Sequence, residues 1–321
     1  FRRAIMSQLN FAIVGAGKSA SDCVHAIERF NSSASGRHAN LKLLFVDAKT
    51  PAPKISANCP VIETRNINAD ENVALIQAHD VDYLLSVNNH QILSAATIST
   101  PRLGVLNFHN GPLPRYGGVN VCAWAIFNGE TEHGVTWHFM EPAIDAGRII
   151  AQRRFPITAR ETAITLIMKC IQQGISLFEE LLPSLFDGRP DGNPQDPSQR
   201  LYFSRKDIPA NEIFDFSWTC EQADRYMRCL NVFPFPPALP FGKALGGERV
   251  FRVVKVNVAE HQIDSAPGTV LDIDDTAIHA ALANGTISIT DVIDEQGNKT
   301  RISDLVSSYG INAGANLQFR K

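Results

Sequence analysis

Asn107-Phe108-His109 closes an apolar run, Val105-Leu106-Asn107-Phe108-His109, and leads into Asn110-Gly111-Pro112-Leu113-Pro114-Arg115-Tyr116-Gly117-Gly118. Side chains along a strand alternate between faces, so Asn107 and His109 point the same way. The Pro/Gly stretch that follows cannot continue a sheet, which sets the pair at a strand end. An amide donor suits an oxygen that gains negative charge, and an imidazole moves protons near neutral pH. Acyl transfer needs both. Asp145, in Asp145-Ala146-Gly147, is the third candidate, promoted by its fit with the other two. Alone, each of the three has a bland reading: a hydrogen-bonded His, an Asn tying down a loop, an Asp in a turn. His138 lies on the strand face opposite Trp137 and reads as packing or a substrate contact; His133, just before that strand, reads as solvated.

Alternating strands and helices must position these residues. Asn10–Val14, Leu41–Val46, Val81–Val87 and Gly104–Phe108 read as strands; about Cys23–Phe30 and Asn72–His79 read as helices. This order predicts a doubly wound, Rossmann-like α/β sheet with ligands at the strand C-terminal ends. Gly134–His138 and Ile149–Phe155 add two strands around the Asp145 loop. Thr162–Phe186 is the longest helix candidate, with Ile164, Ile167, Met168, Ile171, Ile175, Phe178 and Leu182 at spacings of three and four. Gly, Pro and Asp then dominate 187–197, as in a linker. Cys220–Leu230 predicts a helix. Val250–Val258, Gly268–Ile273, Ala277–Leu282 and Thr286–Ile293 predict a smaller β-rich, barrel-like domain. The expected division is a catalytic domain over 8–190, a linker over 191–204 and a C-terminal domain over 205–321.

Composition narrows the function class. The chain has 321 residues, 44% of them hydrophobic and 20% charged, with a formal net charge of -3. An acidic balance without Lys/Arg runs makes a phosphate-backbone partner unlike this chain. Six scattered cysteines lack C-x-x-C or metal spacing and read as free thiols in a reducing, cytoplasmic setting, with no metal. No apolar run reaches membrane-spanning length. The chain starts at Phe1 rather than Met; it is expected to be a fragment or a processed product, with non-native residues within Phe1–Ser7.

Gly15-Ala16-Gly17-Lys18-Ser19-Ala20 sits between a strand and a helix but has Ala20 where a dinucleotide fingerprint needs its third glycine, although Asp47 ends the second strand. A tight strand-to-helix turn is the better reading. The free N–H groups there, with Gly15, Gly17 and Lys18, remain candidates for holding an anionic part of a substrate. Phe233-Pro234-Phe235-Pro236-Pro237-Ala238-Leu239-Pro240 reads either as a polyproline docking segment or as a packed interdomain crossover.

Together, Asn107-Phe108-His109, Pro112-Leu113-Pro114-Arg115-Tyr116, Trp124–Gly129, Gly134-Val135-Thr136 and Asp145-Ala146-Gly147 resemble the formyltransferase family that uses 10-formyltetrahydrofolate. That family includes methionyl-tRNA formyltransferase, sugar-nucleotide N-formyltransferases and formylation domains of peptide synthetases. The match is strongest over about 80–157. The resemblance implies Asn107, His109 and Asp145 as catalytic residues and 10-formyltetrahydrofolate as co-substrate. It implies pterin contacts from Ser86, Val87, Asn88, Asn89, His90 and Ile92, and from Phe139, Met140, Ala143 and Ile144. Pro112, Leu113, Pro114 and Tyr116 join Gly15, Gly17 and Lys18 as acceptor-side candidates.

Asn110-Gly111-Pro112-Leu113-Pro114 departs from the Ser-Leu-Leu-Pro of many relatives and is the version associated with natural-product tailoring. Ala48–Lys54 lacks the basic, Gly-rich loop of tRNA-acting members. The expected acceptor is therefore a small-molecule or carrier-bound amine, with a homodimer or a larger synthetase assembly as possible context. Hydrolysis of the folate to formate and methionyl-tRNA formylation are the alternatives, and a non-catalytic docking module is the third class.

Overall fold

The computed structural model describes residues 6–33, 35–48, 55, 59–235 and 239–318; most of the Ala48–Lys54 loop and part of the 233–240 run lie outside them. In chain order the elements are β1 (Gln8–Gly15), α1 (Gly17–Asn31), β2 (His38–Asp47), β3 (Val61–Thr64), α2 (Asp70–Ala78), β4 (Tyr83–Val87), α3 (Ala95–Ser99), β5 (Gly104–His109), β6 (Gly117–Gly118), α4 (Val121–Phe127), β7 (Glu132–Phe139), β8 (Ile149–Pro156), α5 (Ala163–Leu185) and β9 (Tyr202–Phe203). There follow α6 (Cys220–Leu230), β10 (Lys243–Gly246), β11 (Arg249–Glu260), β12 (Val270–Ile273), β13 (Ile278–Leu282), β14 (Gly285–Ile293), β15 (Lys299–Thr300) and α7 (Ile302–Tyr309).

The chain forms two compact units. Residues 1–121, 132–156 and 167–203 make the first; 122–131, 157–166 and 204–321 make the second. The first holds a seven-stranded sheet in the order β3-β2-β1-β4-β5-β7-β8. β3, β2, β1, β4 and β5 run parallel, and β7 and β8 are antiparallel. Parallel strands are covered on both faces, which explains continuous apolar runs such as Phe11-Ala12-Ile13-Val14. One face packs Ala12, Val14, Leu43, Phe45, Leu84 and Val105 with Ile76 of α2. On the other, Phe108 stacks on Trp137, which packs at a tilt against Phe178 of α5. A side-chain carbon at Gly174 of α5 would lie 2.0 Å from the Phe108 ring, so only glycine lets the helix come this close. The Trp137 indole N–H donates to the Gly174 carbonyl at 2.9 Å.

The sheet order reverses between β1 and β4, the place where a doubly wound sheet opens a crevice at its strand C-terminal ends. Gly15 is required there, since a Cβ would fall 2.2 Å from the Val87 carbonyl oxygen. Helix α1 begins at Gly17, six residues before the sequence pattern predicts, because the short side chains of Gly17, Ser19 and Ala20 leave no apolar period to read.

The second unit is an antiparallel half-barrel: β10-β11-β14-β13-β12, with β15 on β14. A capping box opens α6, with the Thr219 hydroxyl accepting from the Gln222 N–H and the Gln222 side chain accepting from the Thr219 N–H. The hairpin between β13 and β14 turns through Ala283-Asn284, and Gly285 opens β14. Helix α7 has no counterpart among the predicted elements.

Candidate active site

β5 and β7 pair so that Asn107 faces His138, Phe108 faces Trp137 and His109 faces Thr136. Phe108 and Trp137 go down into the α5 packing. Asn107, His109, Thr136 and His138 therefore form one polar square on the opposite face. Asp145 completes it from the loop after β7. Its Oδ2 lies 3.7 Å from His109 Nδ1 and its Oδ1 lies 3.7 Å from His138 Nε2. The structure thus brings the three sequence candidates together and adds His138, which the sequence reading set aside. The period-2 alternation of Thr136-Trp137-His138 carried that signal; the register that sets His138 against Asn107 did not show in the sequence. His133, expected in solvent, is buried in β7 and its Nε2 donates to the Asn110 carbonyl at 2.8 Å.

Hydrogen bonds assign a tautomer to each ring. His109 Nε2 lies 2.6 Å from the Tyr116 carbonyl oxygen, so Nε2 carries the hydrogen. In the neutral ring Nδ1 then keeps its lone pair, facing the carboxylate. His138 shows the reverse: Nδ1–H donates to the Phe139 carbonyl at 2.8 Å. Its Nε2 accepts from the Asn107 amide at 3.1 Å. That bond uses one of the two Asn107 N–H groups and fixes which end of the amide faces the site.

Burial, the largest cause, pushes the His138 pKa down to about 4; the Asp145 charge opposes it, proximity to His109 adds to it, and the bond to Phe139 opposes it. His138 is therefore neutral at physiological pH, and Nε2 remains an acceptor. Unfolded, it titrates near its ordinary value of 6.5. Between the two values the unfolded chain binds the extra proton, so this contribution to stability is complete above about pH 6.5 and is lost as pH falls through about 4. Urea unfolding midpoints are expected to fall between pH 7 and pH 4.5, and to fall less in His138→Met. Equal acid losses in the two proteins would remove His138 as the source.

The loops are built to hold this geometry. Tyr116 and Asp145 both adopt left-handed backbone, at φ 57° and 52°; such conformations in bulky residues persist where surroundings impose them. Thr136 Oγ donates to the Gly111 carbonyl at 2.7 Å and accepts from the Leu113 N–H at 3.2 Å. The Gln152 amide donates to the Leu113 carbonyl at 2.7 Å. Pro112, Leu113 and Pro114 thus act as scaffold for the Tyr116 carbonyl. A Cβ at Gly111 would meet that carbonyl at 2.4 Å and His109 Nε2 at 2.8 Å. The Gly118 N–H donates to Asp145 Oδ2 at 2.8 Å.

The remaining sequence candidates lie at the end of β4 and the loop after it, at the end of β7 and the loop after it, and at the start of α1. Ser86 and Val87 are buried at the end of β4. Asn88 is left-handed at φ 51°, and Asn89 closes a small turn with Gln91. His90 is exposed, and Ile92 is 71% exposed. Phe139 is buried, Met140 packs against the apolar cluster, Ala143 is exposed, and Ile144 is 44% exposed. Lys18 turns back onto Asp22 at 2.8 Å, one helical turn along α1. A cavity of about 430 Å³ opens at the other end of the sheet, lined by residues including Ile27, His38 and His79.

Two residues without a place among the sequence candidates flank Asp145. A carbon added at Gly117 would lie 3.5 Å from the Tyr202 ring and 3.7 Å from Asp145 Cβ. Tyr202 is 38% exposed, and the Arg200 guanidinium stacks on it at 5.1 Å.

The model of the formyl transferase family matches residues 25–182, and that of the formyl transferase C-terminal domain matches 208–310. A methionyl-tRNA formyltransferase of Listeria monocytogenes serotype 4b (strain CLIP80459) is 29% identical over 258 residues, spanning 80% of this chain and 79% of the relative. An N-formyltransferase from Helicobacter canadensis, solved with folinic acid and dTDP-3-aminofucose, shares the fold at a TM-score of 0.63 and 19% identity, covering 88% of this chain and 99% of that one. HypX from Aquifex aeolicus, solved with tetrahydrofolic acid, matches at a TM-score of 0.61 and 14% identity over 99% of this chain and 51% of its own. With both family models matched in sequence order, the chain belongs to the formyl transferase family.

Proposed function

We propose that this protein transfers a formyl group from 10-formyltetrahydrofolate to a primary amine of a small-molecule or carrier-bound acceptor. The observation that carries the reading is the convergence of Asn107, His109 and Asp145 with a base nitrogen left open: His109 Nδ1. Two further points support folate as the donor. The segments around 86–92 and 139–144 offer exposed apolar side chains, Ile92 and Ile144, suited to a planar ring. The Helicobacter neighbour was solved with folinic acid.

When bound, the folate supplies an activated formyl carbon on N10. The second Asn107 N–H donates to the formyl oxygen as it gains charge. His109 Nδ1 takes the proton of the attacking amine, and the same nitrogen can return it to the departing N10. Once protonated, His109 donates through both nitrogens, Nε2 to the Tyr116 carbonyl and Nδ1 toward the Asp145 carboxylate. Asp145 thus favours the cation that the transfer creates.

On the acceptor side, a partly exposed ring and a guanidinium beside Asp145 suit an acceptor with a planar or anionic part. The net charge of -3 speaks against the phosphate-rich acceptor that the Listeria relative's name carries. Among the described residues no helix is long and apolar enough to cross a membrane; the cytoplasmic setting we infer rests on the six free cysteines.

The deciding experiment incubates the protein with 10-formyltetrahydrofolate and a panel of amino-sugar nucleotides, aminoacyl carrier proteins and aminoacyl-tRNA, read by mass spectrometry. A sugar or carrier amine one formyl group heavier is the expected product. Formylation of aminoacyl-tRNA alone would overturn the acceptor class, and formate release without amine would make the protein a hydrolase.

A further inference from the structure

We propose that Gln195 is a positioning residue for Asp145, and that residues 193–203 form a strap holding both loops of the site at their working separation. The inference rests on the formyl-transfer reading above.

The Gln195 side-chain amide donates to the Asp145 carbonyl at 2.8 Å and to the Gly147 carbonyl at 2.7 Å. Two N–H groups on one nitrogen diverge at a fixed angle, so both bonds form only while the two carbonyls keep their spacing. They grip the turn in which Asp145 is left-handed. The grip also fixes the orientation of the amide, because its oxygen cannot face two carbonyl oxygens. That oxygen, Oε1, is buried and has no hydrogen-bond partner among the described residues. An unsatisfied buried acceptor is costly, and an apolar side chain of the same shape would avoid it. Glutamine at this position is therefore explained by what its NH₂ holds.

The neighbouring residues act in the same sense. Asn193 exchanges two backbone bonds with Ile149, at 2.7 and 2.8 Å. The Arg200 guanidinium donates to the Ile144 carbonyl at 2.8 Å. On the other loop, the Leu201 N–H donates to the Pro114 carbonyl at 3.3 Å and the Leu201 carbonyl accepts from the Gly117 N–H at 2.8 Å. The Phe203 carbonyl accepts from the Val119 N–H at 2.9 Å. One stretch is thus bonded to the 114–119 loop, which carries the carbonyl that sets the His109 tautomer, and to the 144–147 turn, which carries the carboxylate that faces it. The sequence pattern reads this stretch as a linker; up to Phe203 it belongs to the first unit.

The test uses the full chain with Gln195→Leu, which keeps the bulk and removes both donors. Amide hydrogen exchange reports Asp145 directly, because the Gly118 N–H is protected by Asp145 Oδ2 while the adjacent Gly117 N–H is protected by Leu201. Gly118 is expected to exchange at least about tenfold faster, with Gly117 and the strands unchanged. The turnover number is expected to fall about 10- to 100-fold with both KM values within about twofold. In an Asp145→Ala background the same substitution is expected to change the residual turnover by less than about twofold, since a residue acting through Asp145 has nothing left to position. Wild-type exchange at Gly118 would overturn the proposal. So would an equal loss in the Asp145→Ala background, or faster exchange throughout the sheet. If Gln195→Leu does not fold, Gln195→Ala is put through the same measurements. A wild-type protein that formylates no amine would sink the parent reading instead, and the exchange experiment would still judge the hold on Asp145.

Discussion

His109→Ala is expected to lower the turnover number for formyl transfer by about 10²- to 10⁴-fold, the range for loss of a positioned acid–base group. The reason lies in the count of proton sites. His138 is held neutral with its acceptor nitrogen committed to Asn107, and Asp145 Oδ2 is occupied by the Gly118 N–H. His109 Nδ1 is the one imidazole nitrogen of the square left to receive a proton. KM for either substrate should move little, because the ring is buried at a strand end and its role falls in the reaction step. Steady-state kinetics by mass spectrometry, with circular dichroism to verify the fold, measures this. Turnover within a few-fold of wild type would take His109 out of the mechanism.

Asn107→Asp is the second large effect. The side chain keeps its shape but has no N–H to offer the formyl oxygen, and its charge repels the charge that develops there. A loss of about 10²- to 10³-fold in turnover, or ~3–4 kcal/mol of barrier, is expected. A second consequence separates this variant from a general disturbance of the site. A carboxylate beside His138 Nε2 stabilises the cation of a ring now held down to about 4, so its pKa must rise. Titration of the ring by NMR reads that shift. An unchanged midpoint with full activity would mean that Asn107 neither donates to the reaction nor touches His138 in solution.

Much of this site can be read from residue order, and the unread part has a physical cause. Asn107 and His109 on one strand face follow from period-2 alternation, and the site falls at strand C-terminal ends as a doubly wound sheet requires. What stayed hidden depends on register and on the main chain. His138 becomes significant only when β7 pairs antiparallel with β5 and sets it against Asn107. The carbonyls of Tyr116 and Phe139 that choose the tautomers have no side-chain signature at all. Gln195 sits in a Gly/Pro/Asp-rich stretch whose composition looks like slack chain, although Asn193 before it is bonded to Ile149 and Leu201 after it to the 114–117 loop. In the second unit, the alternating strands were legible because each buries one face, whereas α7 spans only two turns and offers too short a period to separate from loop.

The two imidazoles have their protons assigned by peptide carbonyls, and no neighbouring side chain is needed to do so. Amino-acid replacement at positions 116 and 139 leaves those carbonyls in place as long as the backbone path is kept. The choice of tautomer at each ring is therefore insulated from most sequence change around it. Such a scaffold can exchange a partly exposed rim side chain such as Tyr202 without retuning its base. For anyone redesigning the enzyme toward a new acceptor, the practical boundary lies between exposed side chains at the rim, which are open to variation, and the glycines and prolines of 111–118, whose replacement would move a carbonyl and with it the chemistry.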